Sequence, residues 1–269
     1  MRRNTRRSLI LVTAITVLFT LVSSLGPSTA LALGGGIDVS TAAEGYVAVT
    51  HPGETYGRIK ALVEKGTERY AYDVRPGEDP EALPLQMGNG VYTIRLMQNT
   101  TGNLYREINR SVVVLDVEDE NTVYLSSIQN INWKASEKTI ALAQEIVEGL
   151  ESDKERILAV YDYIVRNFAY DHKKAKSVGT GYLPDLDEVI EAKKGICYDL
   201  ASLMAGLLRS IGIPAKLITG YVGSQRGYHA WTAAFDGENW EQFDPTFGAA
   251  RSRKTVVKPD ETYEIRYQY

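Results

Sequence analysis

The chain has 269 residues, 44% hydrophobic and 24% charged, which is enough length and apolar material for two packed units. The formal charge is −4; residues 1–32 hold four of the 30 basic side chains and no acid, so without them 26 bases face 34 acids, a net of −8. That balance argues against a nucleic-acid partner, and a single cysteine excludes an internal disulfide.

In chain order, Arg2, Arg3, Arg6 and Arg7 precede a mostly apolar stretch over 9–25, and Ala30-Leu31-Ala32 is a small-x-small cleavage pattern. Residues 1–32 therefore read as a signal peptide that sends the protein to the cell surface or the exterior, with no membrane association after cleavage. The alternative is an uncleaved anchor, because about 17 apolar residues is near the lower limit for a span. No cysteine follows the leader to accept a lipid. Residues 33–36, with Gly34-Gly35-Gly36, form a linker.

Residues 37–133 read as a β-rich domain. Short β-type runs over 45–49, 58–64, 68–74, 91–98, 111–115 and 122–125 alternate with turns at His51-Pro52-Gly53, Arg75-Pro76-Gly77, Met87-Gly88-Asn89-Gly90 and Asn99-Thr100-Thr101-Gly102. The spacing suggests a small β-sandwich, suited to presentation or substrate positioning.

Residues 134–269 change texture. A helix is expected over 136–148, closed by Gly149. A second opens on the capping-box pattern Ser152-Asp153-Lys154-Glu155, and a third lies near 187–193. The polar loop over 177–182 between them either gates a cleft or merely connects. Leu200, Leu203, Met204, Leu207, Leu208 and Ile211 recur at the spacing of a helix with one buried face, stopped by Gly212 and Pro214. Cys197 falls in its first turn, where free backbone N–H groups and the positive end of the helix dipole favour thiolate.

Strands follow over 217–222, 228–235 and 239–243, with Asp236-Gly237 as a hairpin turn. A two-residue loop places His229 opposite Asp244. A four-residue loop over 236–239 places it opposite Thr246, with Asp244 diagonal on the same face. Either register lets the carboxylate reach the imidazole. Trp231 shares that face and is expected to wall the cleft. The three scattered histidines and one cysteine make no metal set, and no glycine-rich phosphate loop opens a helix, so neither metal nor cofactor is expected.

Gly195-Ile196-Cys197-Tyr198-Asp199-Leu200-Ala201, Gly212-Ile213-Pro214-Ala215, Tyr228-His229-Ala230-Trp231 and Phe243-Asp244-Pro245-Thr246 together resemble the transglutaminase-like superfamily, in its bacterial secreted form. The resemblance covers roughly residues 136–247. It implies an α+β fold: a papain-like transglutaminase core in which N-terminal helices and a Cys-bearing helix pack on an antiparallel sheet, preceded here by the small β-sandwich-like domain. It also joins Cys197 to His229, which the residues alone do not, and so implies a Cys197, His229, Asp244 triad for acyl transfer on peptide or amide substrates. The segment around Tyr170 resembles the one that approaches the cysteine in the family, making Tyr170 a candidate oxyanion donor; the plainer reading is a core-edge aromatic. The expected partner is a protein or peptide substrate, cell-wall peptide included, and the expected outcome is hydrolysis. Protein crosslinking and a non-catalytic peptide- or cell-wall-binding module are the alternatives. Oligomeric state is not legible.

Overall fold

The computed structural model describes residues 36–77, 79–223, 227–250 and 262–269. The expected leader and most of the linker lie outside the described residues. Seven strands come first: β1 (Ile37–Asp38), β2 (Tyr46–Val49), β3 (Ile59–Lys65), β4 (Glu68–Val74), β5 (Glu81–Pro84), β6 (Gly90–Thr101) and β7 (Leu104–Leu115). They form antiparallel sheets in the orders β1-β2-β5 and β4-β3-β6-β7. Period-two patterning explains their packing. Ile59, Ala61 and Val63 on β3, and Tyr92, Ile94 and Leu96 on β6, turn one face inward to meet Val47, Val49 and Leu83 of the other sheet and Leu85 just after it.

One expected strand is absent. Residues Glu120–Leu125 form a 3-10 helix, because Asp119 accepts the Asn121 N–H at 2.9 Å and closes a turn where β propensity alone suggested extension. Val123 then plugs against Gly45, where a Cβ would meet its Cα at 2.6 Å.

Helices α1 (Glu137–Ile146) and α2 (Asp153–Asn167) follow, capped by Ser136 and by the reciprocal Ser152/Glu155 pair. After them come β8 (Ala169–Tyr170), α3 (His172–Ser177), α4 (Leu186–Ala192), β9 (Lys194–Gly195), α5 (Cys197–Ser210), β10 (Ala215–Val222), β11 (Gly227–Phe235), β12 (Trp240–Phe243), α6 (Pro245–Ala250) and β13 (Tyr263–Gln268). The last four strands make an antiparallel sheet ordered β12-β11-β10-β13. The fold is α+β.

Helix α5 departs from the expectation of a single buried face: every residue from Asp199 to Arg209 is buried. The sheet covers one side and α1, α2 and α4 cover the rest, with Gly206 admitting Leu186 Cδ1 to within 2.7 Å of where a Cβ would stand. Each fully buried leucine of this helix contributes about 1.5–3 kcal/mol of transfer free energy, which makes α5 the rigid axis of this half.

The described residues from Gly36 onward belong to one compact unit. Buried Arg209 ties its parts together, donating to the carbonyls of Ala215 (2.8 Å), Ser126 (2.6 Å) and Tyr269 (2.8 Å). Tyr269 packs against both hydrophobic cores.

Candidate active site

Cys197 is the first residue of α5, and its thiol is partly exposed. Asp199 fixes this helix start. Its carboxylate is fully buried, accepts the Ile196 N–H (2.9 Å) and the Tyr182 hydroxyl (2.5 Å), and pairs with Lys174 Nζ at 2.9 Å. Gly195 must be glycine for the chain to pass, since a Cβ there would lie 2.6 Å from Asp199 Cβ. The turn into α5 is set by Lys193, which ends α4 in the left-handed region at φ 51°.

The hairpin of β11 and β12 takes the four-residue loop: Phe235 pairs with Trp240 and Thr232 with Phe243. Asp244 then leaves the sheet at its corner and caps α6, with Oδ1 accepting the Phe247 N–H at 2.9 Å and Pro245 at the first helical position. Its other oxygen, Oδ2, accepts His229 Nε2–H at 2.8 Å and the Tyr263 hydroxyl at 2.7 Å. Asp244 thus serves both as the turn residue that precedes a proline and as the partner of the imidazole.

His229 is buried on β11, its ring nearly parallel to those of Phe247 (centroids 4.8 Å apart, 18°) and Trp231 (6.3 Å, 21°). Cys197 lines the same cleft as this ring. With Nε2 engaged by Asp244, Nδ1 is the nitrogen left for the thiol. Burial works against a charged imidazole, but the hydrogen bond to Asp244 and the interactions with Asp244 and Cys197 outweigh it, raising the His229 pKa to about 9.

Cys197 and His229 open on a cleft of about 570 Å³ whose other walls include Tyr182, Tyr198, Tyr228 and Tyr269. A larger open groove of about 850 Å³ lies elsewhere, among charged side chains such as Arg69, Arg95 and Arg266, and it touches none of the three residues. Trp231 does not wall the cleft, contrary to expectation. It is fully buried behind the sheet with Ile218 and Ala233, its indole N–H donating to Gln242 Oε1 at 2.6 Å, so it backs the imidazole from inside. Tyr170 lies on β8, paired in parallel with Gly195 of β9. Its hydroxyl pKa is raised, by burial first and then by the neighbouring Cys197 and Asp199. Among the described residues no group of His, Cys, Asp or Glu converges as a metal site would need.

A family model described as the Transglutaminase-like superfamily matches residues 140–245. Over these residues the chain is transglutaminase-like. It is similar to the uncharacterized protein YebA of Bacillus subtilis, 29% identical over 136 residues that cover 42% of this chain and 18% of YebA. It is also similar to the kyphoscoliosis peptidase of Mus musculus, 24% identical over 149 residues that cover 50% of this chain and 22% of the peptidase. The chain thus spans about a fifth of the length of these relatives. Among solved structures, the periplasmic domain of TgpA from Pseudomonas aeruginosa bound to ethylmercury is 16% identical with a TM-score of 0.38, over 71% of this chain and 89% of that domain.

Sequence reasoning passed over Asp199, Phe247 and Tyr263. Asp199 carried a local signal, an acid at the third position of a helix. Tyr263 carried none, since only the pairing of β13 with β10 brings it to Asp244. No helix among the described residues is long and apolar enough to cross a membrane.

Proposed function

We propose that this protein is a transglutaminase-like, cysteine-dependent acyl-transfer enzyme that hydrolyses peptide or other amide bonds, with Cys197 as nucleophile, His229 as the proton carrier and Asp244 as its orienting carboxylate. The observation that carries the reading is the 2.8 Å bond from His229 Nε2 to the buried Asp244, made by an imidazole that shares a cleft with the thiol at a helix start. The thiolate attacks the amide carbonyl, and backbone N–H groups of the first turn of α5, with the Tyr170 hydroxyl, face the oxyanion. The imidazolium passes its proton to the leaving amine as the tetrahedral intermediate collapses to a thioester. Water then attacks the thioester with His229 as general base and frees the acid. Asp244 holds the ring in the tautomer that leaves Nδ1 free and stabilises its charged form. Reading 1–32 as a leader supports a substrate outside the cytoplasm, a protein or a cell-wall peptide.

The test incubates the protein with an extracellular proteome and a labelled primary amine, following new termini and label together. New termini that vanish in Cys197→Ala support the proposal. Label incorporation without new termini would replace hydrolysis by crosslinking, and neither signal would leave a binding module.

A further inference from the structure

We propose that Tyr263 is a positioning residue of this site: its hydroxyl holds Asp244 Oδ2 and moderates the negative charge which that oxygen presents to His229. This rests on reading Cys197, His229 and Asp244 as one functional unit, and it concerns a residue beyond the stretch matched by the family, which ends at 245.

The geometry is specific. Both the imidazole N–H and the phenol O–H bond the same carboxylate oxygen, at 2.8 and 2.7 Å, while Oδ1 is taken by the Phe247 N–H. Asp244 is fully buried, so the phenol supplies from the protein the stabilisation that water gives an exposed carboxylate. The ring stands edge-on to Trp231 (5.1 Å, 85°), which fixes the direction of the hydroxyl. Its strand is brought close by Gly220, opposite His229 on β10: a Cβ there would sit 2.0 Å from the Glu264 carbonyl oxygen, next to Tyr263. An absence of side chain on one strand thus permits a contact made from another.

An oxygen that already accepts a phenol proton attracts the imidazolium less, so Tyr263 opposes the upward pull of Asp244 on His229. Among the described residues, other polar groups near the pair include Cys197 from α5, Tyr170 from β8 beside the thiol, and Tyr161 from α2, whose hydroxyl meets the Asp244 carbonyl at 3.4 Å. None of these shares Oδ2. Removing only the phenol oxygen therefore raises the proton affinity of His229.

The chain has three histidines, so the imidazole signals can be followed by NMR titration, with His229→Asn identifying the relevant one. In Tyr263→Phe the His229 midpoint is expected to rise by about half a pH unit or more. A purely structural ring, kept intact by phenylalanine, predicts no movement, and an unchanged or lowered midpoint overturns the proposal. Should Tyr263→Phe fail to fold, fluorotyrosines of increasing acidity at 263 decide the matter: the midpoint must fall as the phenol becomes a stronger donor, and a flat series overturns the proposal. Iodoacetamide alkylation of Cys197 in the unsubstituted protein separates the two levels of inference. An ordinary thiol profile there counts against the triad itself, whereas an unmoved midpoint counts against Tyr263 alone.

Discussion

The Tyr182 hydroxyl donates to Asp199 Oδ1 at 2.5 Å, fastening a wall of the cleft to the first turn of the helix that carries Cys197. Lys174 closes the arrangement from α3, with Nζ on Asp199 Oδ2 and 4.6 Å from the centre of the Tyr182 ring. A buried carboxylate with three donors becomes three unsatisfied donors when it is removed. Asp199→Ala should therefore cost about 3 kcal/mol or more of stability in urea unfolding. Tyr182→Phe, which deletes a single bond, should cost about 1 kcal/mol. Equal costs would mean that the loop attachment and the helix start are not joined through this side chain.

Asp244→Asn separates capping from charge. The amide oxygen can still cap α6, so only a modest stability loss of about 1 kcal/mol is expected. An amide does not balance an imidazolium, so the ion pair of the proposed triad is weakened. Alkylation by iodoacetamide should slow near neutral pH and recover at alkaline pH. Identical rate profiles for the two proteins would remove Asp244 from the proposed triad.

The raised pKa of His229 predicts a pH dependence of folding. Its folded value of about 9 exceeds the ordinary 6.5, so its protonated form stabilises the native state fully below pH 6.5. That contribution drains away as pH rises from 6.5 through 9. The unfolding free energy of the native protein relative to His229→Asn should shrink across this window by a few kcal/mol. A constant difference would show that the imidazole is not charged in the folded protein.

Gly220→Ala tests the close approach of β13. The added methyl collides with the Glu264 carbonyl and with Trp231 Cη2, 2.9 Å away. Relief requires that β13 retreat from β10, carrying Tyr263 away from Asp244. A loss of about 1–3 kcal/mol is expected, together with slower alkylation of Cys197. Unchanged melting would mean that the strand has room the structure does not show.

What was legible in the sequence was mostly local. The Ser152/Glu155 cap, the stop at Gly149 and the strands at 68–74 and 228–235 follow from spacing and from single residues, and they are found within a residue or two. The His229/Asp244 contact was legible because two alternative loop lengths both led to it, although the sheet ends at Phe243 and a helix cap delivers the carboxylate. Trp231 was placed on the wrong side of the problem. Period two says which residues share a face, but not that Phe247 and Tyr263 arrive from other elements to cover that face. Residues 120–125 went wrong for a local reason, a cap by Asp119 that outweighed Val and Tyr. The all-round burial of α5 depended on three helices whose docking no periodicity encodes.

Tyr269 packs on both cores, exchanges backbone hydrogen bonds with Leu217 and forms part of the cleft. A molecule bound against it stabilises everything that must come apart when Tyr269 is released, the β-sandwich included. By the same linkage, a cavity cut in the sandwich core at Ile94 or Leu96, in the cluster against which that tyrosine packs, lowers the apparent affinity of the cleft in proportion to the fraction of protein it unfolds.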